Sequence, residues 1–439
     1  MNPSAPRLEL RHPERHIWEF QTEFGWREQY DCVAHCTRCG CCAQTCPIYQ
    51  IKHQESFSPR GRNQTLRLVL EKKLNLTPSN PTLIALLESC TLCGRCTQAC
   101  AGKIPTAEHV LELRRTLHLR VLPRLLFSFL RLRDVRPQLF AKLTRIALFL
   151  RRWKAIKLLR VLQFTKIPGL SWLNRLDDML PNFYSSLDSM LTAEEKNLCA
   201  VTAPTAIYLP SLEAEFILPQ IARRTLDLIK KQQQTPVIWR NFPTGLFAYI
   251  YADVYQSRRT LLRLMRRHTK TAHGKLPLVT DSIDIYLFLK RAPQLFRNKK
   301  YWQIRAQKLA DCTRFVTDYL PPVRNTSATS VSGNIRLDSG SLFERENGIL
   351  EQIRQICYTL FGKNFVECSY TDADTPAFGY AFSAQNCAEQ IGLKTVEAIA
   401  RTQTKKVFVL SGLAALELNY FLKRFYPAAQ AQHVIHINE

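Results

Sequence analysis

Eight cysteines in two runs carry the most specific chemistry in this chain. The first run is Cys36-x2-Cys39-x2-Cys42-x3-Cys46-Pro47, and the second is Cys90-x2-Cys93-x2-Cys96-x3-Cys100. This is the spacing by which a chain holds paired iron–sulfur clusters, the fourth cysteine of each run ligating the other cluster. Three thiolates two residues apart wrap one face of a cubane, and the fourth points away towards the second. On that scheme one [4Fe-4S] cluster takes Cys36, Cys39, Cys42 and Cys100, and the other takes Cys90, Cys93, Cys96 and Cys46. Structural zinc is the alternative, because Cys-x2-Cys pairs also suit tetrahedral zinc. Zinc sites use one pair from each knuckle and leave no third and fourth cysteine in register, so the doubled spacing favours iron–sulfur.

Neighbouring residues are less specific. Cys32 and Cys41 fall outside the register and read as bystanders. His35 reads as an ordinary, partly exposed histidine, since the cysteine register is already complete. Arg60 and Arg62 follow in Ser58-Pro59-Arg60-Gly61-Arg62. They are either surface charge or cations that raise the potential of a nearby reduced cluster, and the sequence leaves both open.

These residues need a scaffold, and 439 residues allow two to four domains at roughly 100–200 residues each. A hydrophobic content of 46% and an aromatic content of 10% exclude a disordered chain. Ten of the 15 cysteines lie between Cys32 and Cys100, which marks a local site. Met1 to Arg7 leads into charged sequence, which argues against a secretory signal. Arginines interrupt every apolar stretch short of the roughly 18 residues that span a bilayer. A disulfide framework is not expected where thiols stay reduced, so the predicted location is cytoplasmic.

Along the chain, residues 1–30 form a polar and aromatic N-terminal segment, and 31–112 hold the two runs around a helical stretch, Arg62 to Lys73. Residues 113–200 are rich in Leu, Phe and Arg, cut into short helices by Pro123, Pro137, Pro168 and Pro181. From 201, β-rich runs alternate with helical ones. Ala206–Leu209, Pro236–Trp239 and Leu278–Thr280 read as buried strands. Ala222, Leu226 and Ile229 recur at helical spacing behind Pro219, which suits a first helical turn. A Ser/Thr/Gly-rich linker spans 323–345. Phe365 to Glu367, a helix around Leu393 to Ala400, and Val407 to Leu410 then repeat the pattern, so 201–322 and 346–439 look like a loose duplication of a parallel α/β unit. The predicted class is α+β: a helical ferredoxin-like domain with two clusters, a basic helical segment, and two small α/β units.

Cys36–Pro47, Pro59-Arg60-Gly61-Arg62, and Glu88-Ser89-Cys90-Thr91-Leu92-Cys93 with Ile104-Pro105 resemble the iron–sulfur subunit of glycolate oxidase. Relatives of that family include the anaerobic glycerol-3-phosphate dehydrogenase small subunit, lactate-utilisation proteins and heterodisulfide-reductase-like proteins. The specific likeness covers about 31–112. The family carries two C-terminal cysteine-rich repeats built on Cys-Cys-Gly, which this chain lacks. Tyr208 to Leu212, Pro243-Thr244-Gly245, Asp338 to Ser341, Asp372-Ala373-Asp374 and Ser411-Gly412 stand in their place, without cysteine. Cys199, Cys312, Cys357, Cys368 and Cys387 are isolated, as small buried hydrophobes usually are. The resemblance implies a flavoprotein dehydrogenase as partner.

Charge is the remaining signal. The chain carries +25, of which +13 lies between Val110 and Pro168, where 15 Lys+Arg face only Glu112 and Asp134. Lys142 and Arg145 oppose Leu139, Leu143, Ile146, Ala147 and Leu150 on a helical projection. Lys154, Lys157 and Arg160 oppose Ala155, Leu158, Leu159 and Leu162. A basic face over an apolar one suits peripheral contact with the cytoplasmic face of a membrane through residues 110–168, or an acidic protein. Packing of the apolar face inside the molecule competes with these. Nucleic acid ranks last, because the interleaved residues are aliphatic.

No dinucleotide loop, nucleophile motif or hydrolase metal spacing is visible. The expectation is an iron–sulfur electron-transfer subunit without its own substrate site, relaying electrons between a flavin-dependent dehydrogenase and a quinone or other acceptor. The rival is a non-enzymatic iron–sulfur scaffold that recruits partners to a membrane surface.

Overall fold

A computed structural model describes residue 33 and residues 35–71, 73–75, 77, 80–117, 124–153, 172–181, 186–192, 204–251, 253–271, 274–296, 299–320, 333–338, 349–366, 380–426 and 433–437. Helices dominate, with two small parallel sheets, an α+β architecture. Cys32, Cys199, Cys368, Lys154, Lys157 and Arg160 lie outside the described residues.

In the cysteine-bearing region, α1 (Cys41–Gln44), α2 (Pro59–Leu70), α3 (Pro81–Glu88), α4 (Arg95–Ala99) and α5 (Thr106–Thr116) are joined by loops. Two of these helices start by one device. Ser58 Oγ accepts from the Gly61 N–H at 2.9 Å, and Asn80 Oδ1 from the Leu83 N–H at 3.1 Å. Each helix has proline in its first turn, where a missing N–H costs nothing. The helix expected from Arg62 therefore begins at Pro59 and ends at Leu70. The expected boundary at 112 falls inside α5, whose buried Val110, Leu111 and Leu113 keep it one continuous helix. α6 (Arg124–Val135) and α7 (Pro137–Arg152) follow.

The first sheet has β1 (Ala206–Leu209), β2 (Pro236–Ile238), β3 (Leu278–Thr280) and β4 (Thr313–Phe315), in the order β2-β1-β3-β4. The second has β5 (Asn334–Asp338), β6 (Phe365–Val366), β7 (Thr404–Val409) and β8 (His433–His436), in the order β6-β5-β7-β8. Every pairing is parallel. Helices make the crossovers: α8 (Leu212–Phe216) and α9 (Pro219–Lys231) from β1, α10 (Val254–Lys270) into β3, and α11 (Ile283–Arg291) with α12 (Lys300–Cys312) into β4. In the second unit these are α13 (Ile349–Phe361), α14 (Tyr380–Ser383), α15 (Gln385–Arg401) and α16 (Gly412–Phe425). The shared strand order is the form a duplicated α/β unit would take. One expectation is corrected. The stretch 323–345 is not all linker, because β5 lies within it and pairs with both β6 and β7. Its Asn-Ile-Arg-Leu-Asp sequence escapes an apolar-run rule, yet Arg336 and Asp338 are buried with Ile335 and Leu337.

Packing joins the regions. Ile207, Leu209, Trp239 and Leu278 share a core with Leu66, Leu87, Val110 and Leu113 of the cysteine region. Tyr208, Val279 and Phe315, on the opposite face by the period-two alternation of strands, pack with Ile335, Leu337 and Ile353 of the second unit. Val407, Val409, Ile391 and Phe421 then pack with Cys46 and Ile48. The cysteine region thus rests against both α/β units.

Candidate iron–sulfur site

The two runs share a backbone course. Arg38 and Leu92, each one residue before the second cysteine of its run, have φ of 59° and 58°. Gly40 and Gly94, each one residue after it, have φ of 87° and 75° and open α1 and α4. Left-handed Arg and Leu are uncommon and cost energy, a cost that recurs at ligand-binding loops. The third cysteines, Cys42 and Cys96, then sit in the first turn of α1 and α4.

Cys46, from the first run, lines one cavity with Cys90, Cys93 and Cys96 from the second. Pro47, Ile48, Pro59, Arg62 and Arg95 also border this cavity, which opens to solvent. Burial and then the neighbouring sulfurs of Cys93, Cys90 and Cys46 push the Cys96 thiol well above its ordinary pKa. In the other set, burial, then Cys36, Cys100 and Cys39, push Cys42 up to about 11. Sulfurs grouped so closely resist joint deprotonation unless a cation compensates them, which is the demand a thiolate-ligated cluster meets. Among the described residues, no three His, Cys, Asp or Glu side chains close on a point that would hold a single metal ion. A cubane bonds each thiolate to a different iron, so its sulfurs need only line a cavity. The cavity of Cys46, Cys90, Cys93 and Cys96 fits that group.

Arg60 and Arg62 part company. Gly61 lies so close to the Glu55 carbonyl that an added Cβ would stand 2.1 Å from its oxygen, so only glycine lets α2 start against this turn. Arg60, a third exposed, pairs with Glu55 and donates from Nη1 to the Arg38 carbonyl at 3.0 Å, beside the first run. Arg62, 2% exposed, turns into the cavity. It donates to the Leu86 and Phe57 carbonyls, to Ser89 Oγ at 2.9 Å, and reaches Cys46 Sγ at 4.0 Å. Burial opposes its charge, but the sulfurs of Cys90 and Cys46 outweigh this and hold its pKa above the ordinary value.

Further residues of this site carry no sequence signal. Arg114 of α5 is buried and donates to the Leu87, Glu88 and Cys90 carbonyls, the last at 2.7 Å. Tyr380, 291 positions beyond Ser89, donates its hydroxyl to the Ser89 carbonyl at 2.5 Å. Arg95 stands between two cysteines and is buried on the cavity wall. His35 is exposed. Cys41, outside the register, hydrogen-bonds with exposed Cys39 and holds its pKa below the ordinary thiol value.

Cys312, Cys357 and Cys387 occupy separate places on α12, α13 and α15, the last two in different cores. Where the resemblance would put cysteines, this chain has a buried polar network. Asp281, after β3, accepts from Tyr208 Oη at 2.5 Å and from the Ser211 N–H at 2.9 Å. Burial drives its pKa up to about 7, with Glu213 adding to the rise. Gly412 packs on the Glu213 side chain, and the Ile283 N–H donates to the Leu410 carbonyl at 3.1 Å, so the strand ends of the two units meet here.

Comparison with known proteins bears on the first region. The model of a 4Fe-4S dicluster domain matches residues 32–104. The glycolate oxidase iron-sulfur subunit of Escherichia coli (strain K12) is 33% identical over 122 residues, 26% of this chain and 28% of that protein. The probable glycolate oxidase iron-sulfur subunit of Bacillus subtilis (strain 168) is 27% identical over 106 residues, 24% of this chain and 23% of that protein. Lactate utilization protein B of Macrococcus caseolyticus (strain JCSC5402) is 33% identical over 89 residues, 20% of this chain and 18% of that protein. The matches span between 18% and 28% of the length of these relatives. No solved structure matches. Residues 32–104 are therefore a 4Fe-4S dicluster domain by similarity, and the likeness of this part to iron–sulfur subunits points to electron transfer.

Proposed function

We propose that this chain is an electron-transfer subunit with two [4Fe-4S] clusters, working between a flavin-dependent dehydrogenase partner and a quinone or other acceptor. Cys36, Cys39, Cys42 and Cys100 would hold one cluster, and Cys90, Cys93, Cys96 and Cys46 the other. When bound, such clusters supply one-electron transfer. The observation that carries this is the cavity shared by Cys46 and the three cysteines of the other run. Around it, Arg114 and Tyr380 fix the backbone carbonyls that flank Cys90, while Leu92, Ile104 and Ala107 are buried close by. A dehydrogenase partner accords with the relatives, two of which are named as glycolate oxidase subunits. A cytoplasmic location accords with free thiols. Anaerobic purification with iron analysis and EPR tests the proposal. About eight irons per chain, four for each cubane, with a reducible signal are expected; stoichiometric zinc without one would refute it.

A second reading, an iron–sulfur scaffold at a membrane surface, is favoured by α7. Leu139, Leu143, Ile146, Leu150 and Trp153 recur on one face and are exposed, Ile146 by 54% and Trp153 by 73%. Only Phe140 and Ala141 of this helix are fully buried, which supports a surface role for the Leu139–Leu150 face over packing inside the molecule. Arg136, Lys142 and Arg152 are exposed around that stripe. No helix among the described residues is long and apolar enough to cross a membrane, so contact would be peripheral. An anionic lipid surface matches the cations, each worth about 1 kcal/mol near such a surface. Binding to anionic vesicles should fall as salt rises, and Ile146→Glu should abolish it. Equal binding to neutral and anionic vesicles, or none, would remove this reading.

A further inference from the structure

We infer that the two cluster sites are electrically unequal, with Arg62 making the site of Cys46, Cys90, Cys93 and Cys96 the more easily reduced. The inference rests on the proposal that clusters occupy both sites.

Reduction adds negative charge, so a nearby cation favours it and burial opposes it. The sign at each site depends on how much positive charge stays uncompensated. At the first run Arg38 is exposed, and Arg60, a third exposed, is paired with Glu55 through two nitrogens. Its charge is met by a carboxylate and screened by water, and exposed charges interact weakly. At the enclosed site, Arg62 lies within 4.0 Å of Cys46 Sγ, and its other acceptors are two carbonyls and a hydroxyl. None is a carboxylate. A charge interacts roughly fourfold more strongly at the effective dielectric of a protein than in bulk water.

The other charged groups around this site are Arg95, on the cavity wall, Arg114, and Glu88. Arg114 donates only to carbonyls in its described hydrogen bonds, one of them the carbonyl of Cys90. Arg62 therefore faces the Cys46 sulfur with no carboxylate among its acceptors, where Arg60 at the first run is held in an ion pair with Glu55. Two positions apart on α2, Arg60 and Arg62 leave the helix on opposite sides, and Gly61 between them lets this turn approach Glu55.

EPR-monitored redox titration of the intact protein and of Arg62→Gln tests the inference. The native protein should show two midpoints, the higher belonging to the cluster lost in Cys46→Ser. Arg62→Gln should lower that midpoint alone, by at least tenfold in the reduced-to-oxidised ratio at fixed poise, about 59 mV for a one-electron couple. Arg62→Lys should restore most of the shift, which a purely structural role would not predict. Coincident native midpoints, or a shift of both clusters together, would overturn the inference while leaving the electron-transfer proposal intact. If Arg62→Gln loses its iron, the native order decides: a lower midpoint for the cluster lost in Cys46→Ser overturns the inference. A protein with zinc and no reducible signal overturns both.

Discussion

The cysteine region and the paired α/β units solve the same problem, buried ionisable groups, in opposite ways. In the first, thiols gather around a cavity with guanidiniums behind them, so positive charge waits on negative ligands. In the second, carboxyls at the strand ends are buried, with Arg133 among them, and burial is the main cause of every shift. Asp281 and Glu215 are raised to about 7, and Asp134 of α6, which meets the first unit at Gln256, to about 6. Burial also pulls Arg133 down from its ordinary value. The first arrangement calls for a cationic cofactor. The second can stay neutral by holding protons, so the two sheets keep their packing without thiolates at their meeting edge.

The largest effect that separates the two regions is in iron content. Cys46→Ser and Cys100→Ser should each remove about half the iron, because each thiolate belongs to one cubane, and they should remove different EPR signals. Replacing Cys312, Cys357 and Cys387 together by alanine should leave the iron unchanged. Loss of iron in that triple variant would erase the contrast between the regions.

The smaller effect is on stability and lies in the α/β pair. Asp281 has a folded pKa near 7 against an ordinary 3.8, so folding takes up a proton. Its contribution is fully present below about pH 4 and is lost as pH rises through 7, by up to about 4 kcal/mol at 1.4 kcal/mol per unit. Glu215 and Asp134 act in the same direction. Buried His109, lowered to about 4, has the opposite sign: its contribution is present above about pH 6.5 and lost as pH falls through 4. Denaturant melts of Asp281→Asn between pH 4 and 8 should show a flatter decline towards alkaline pH than the native chain. An unchanged slope would mean that Asp281 is ionised at no cost.

Much of the cysteine site was legible because its rules are local. Four cysteines at x2, x2 and x3 spacing occupy one loop and one helical turn, and each run holds the same left-handed residues around its second cysteine. Apolar runs likewise announced β1, β2, β3, β6 and β7. They missed β4, β5 and β8, which are short or carry polar residues, such as Arg336 and Asp338, whose burial is set by distant partners.

The sequence by itself determined the two cysteine runs and their spacing, the α+β class and the alternation of strand and helix after 201. These follow from residue type and from periodicities a few residues long. The crossed grouping of Cys46 with the second run is already an expectation of the spacing. Tertiary structure alone decided that Arg60 turns to the Arg38 carbonyl while Arg62 turns to Cys46. It also brought Tyr380 to Ser89 across 291 positions and left the Leu139–Trp153 stripe uncovered. The reason is physical. Burial and charge compensation depend on which surfaces meet, and a local pattern holds no record of the surfaces that meet it from far along the chain.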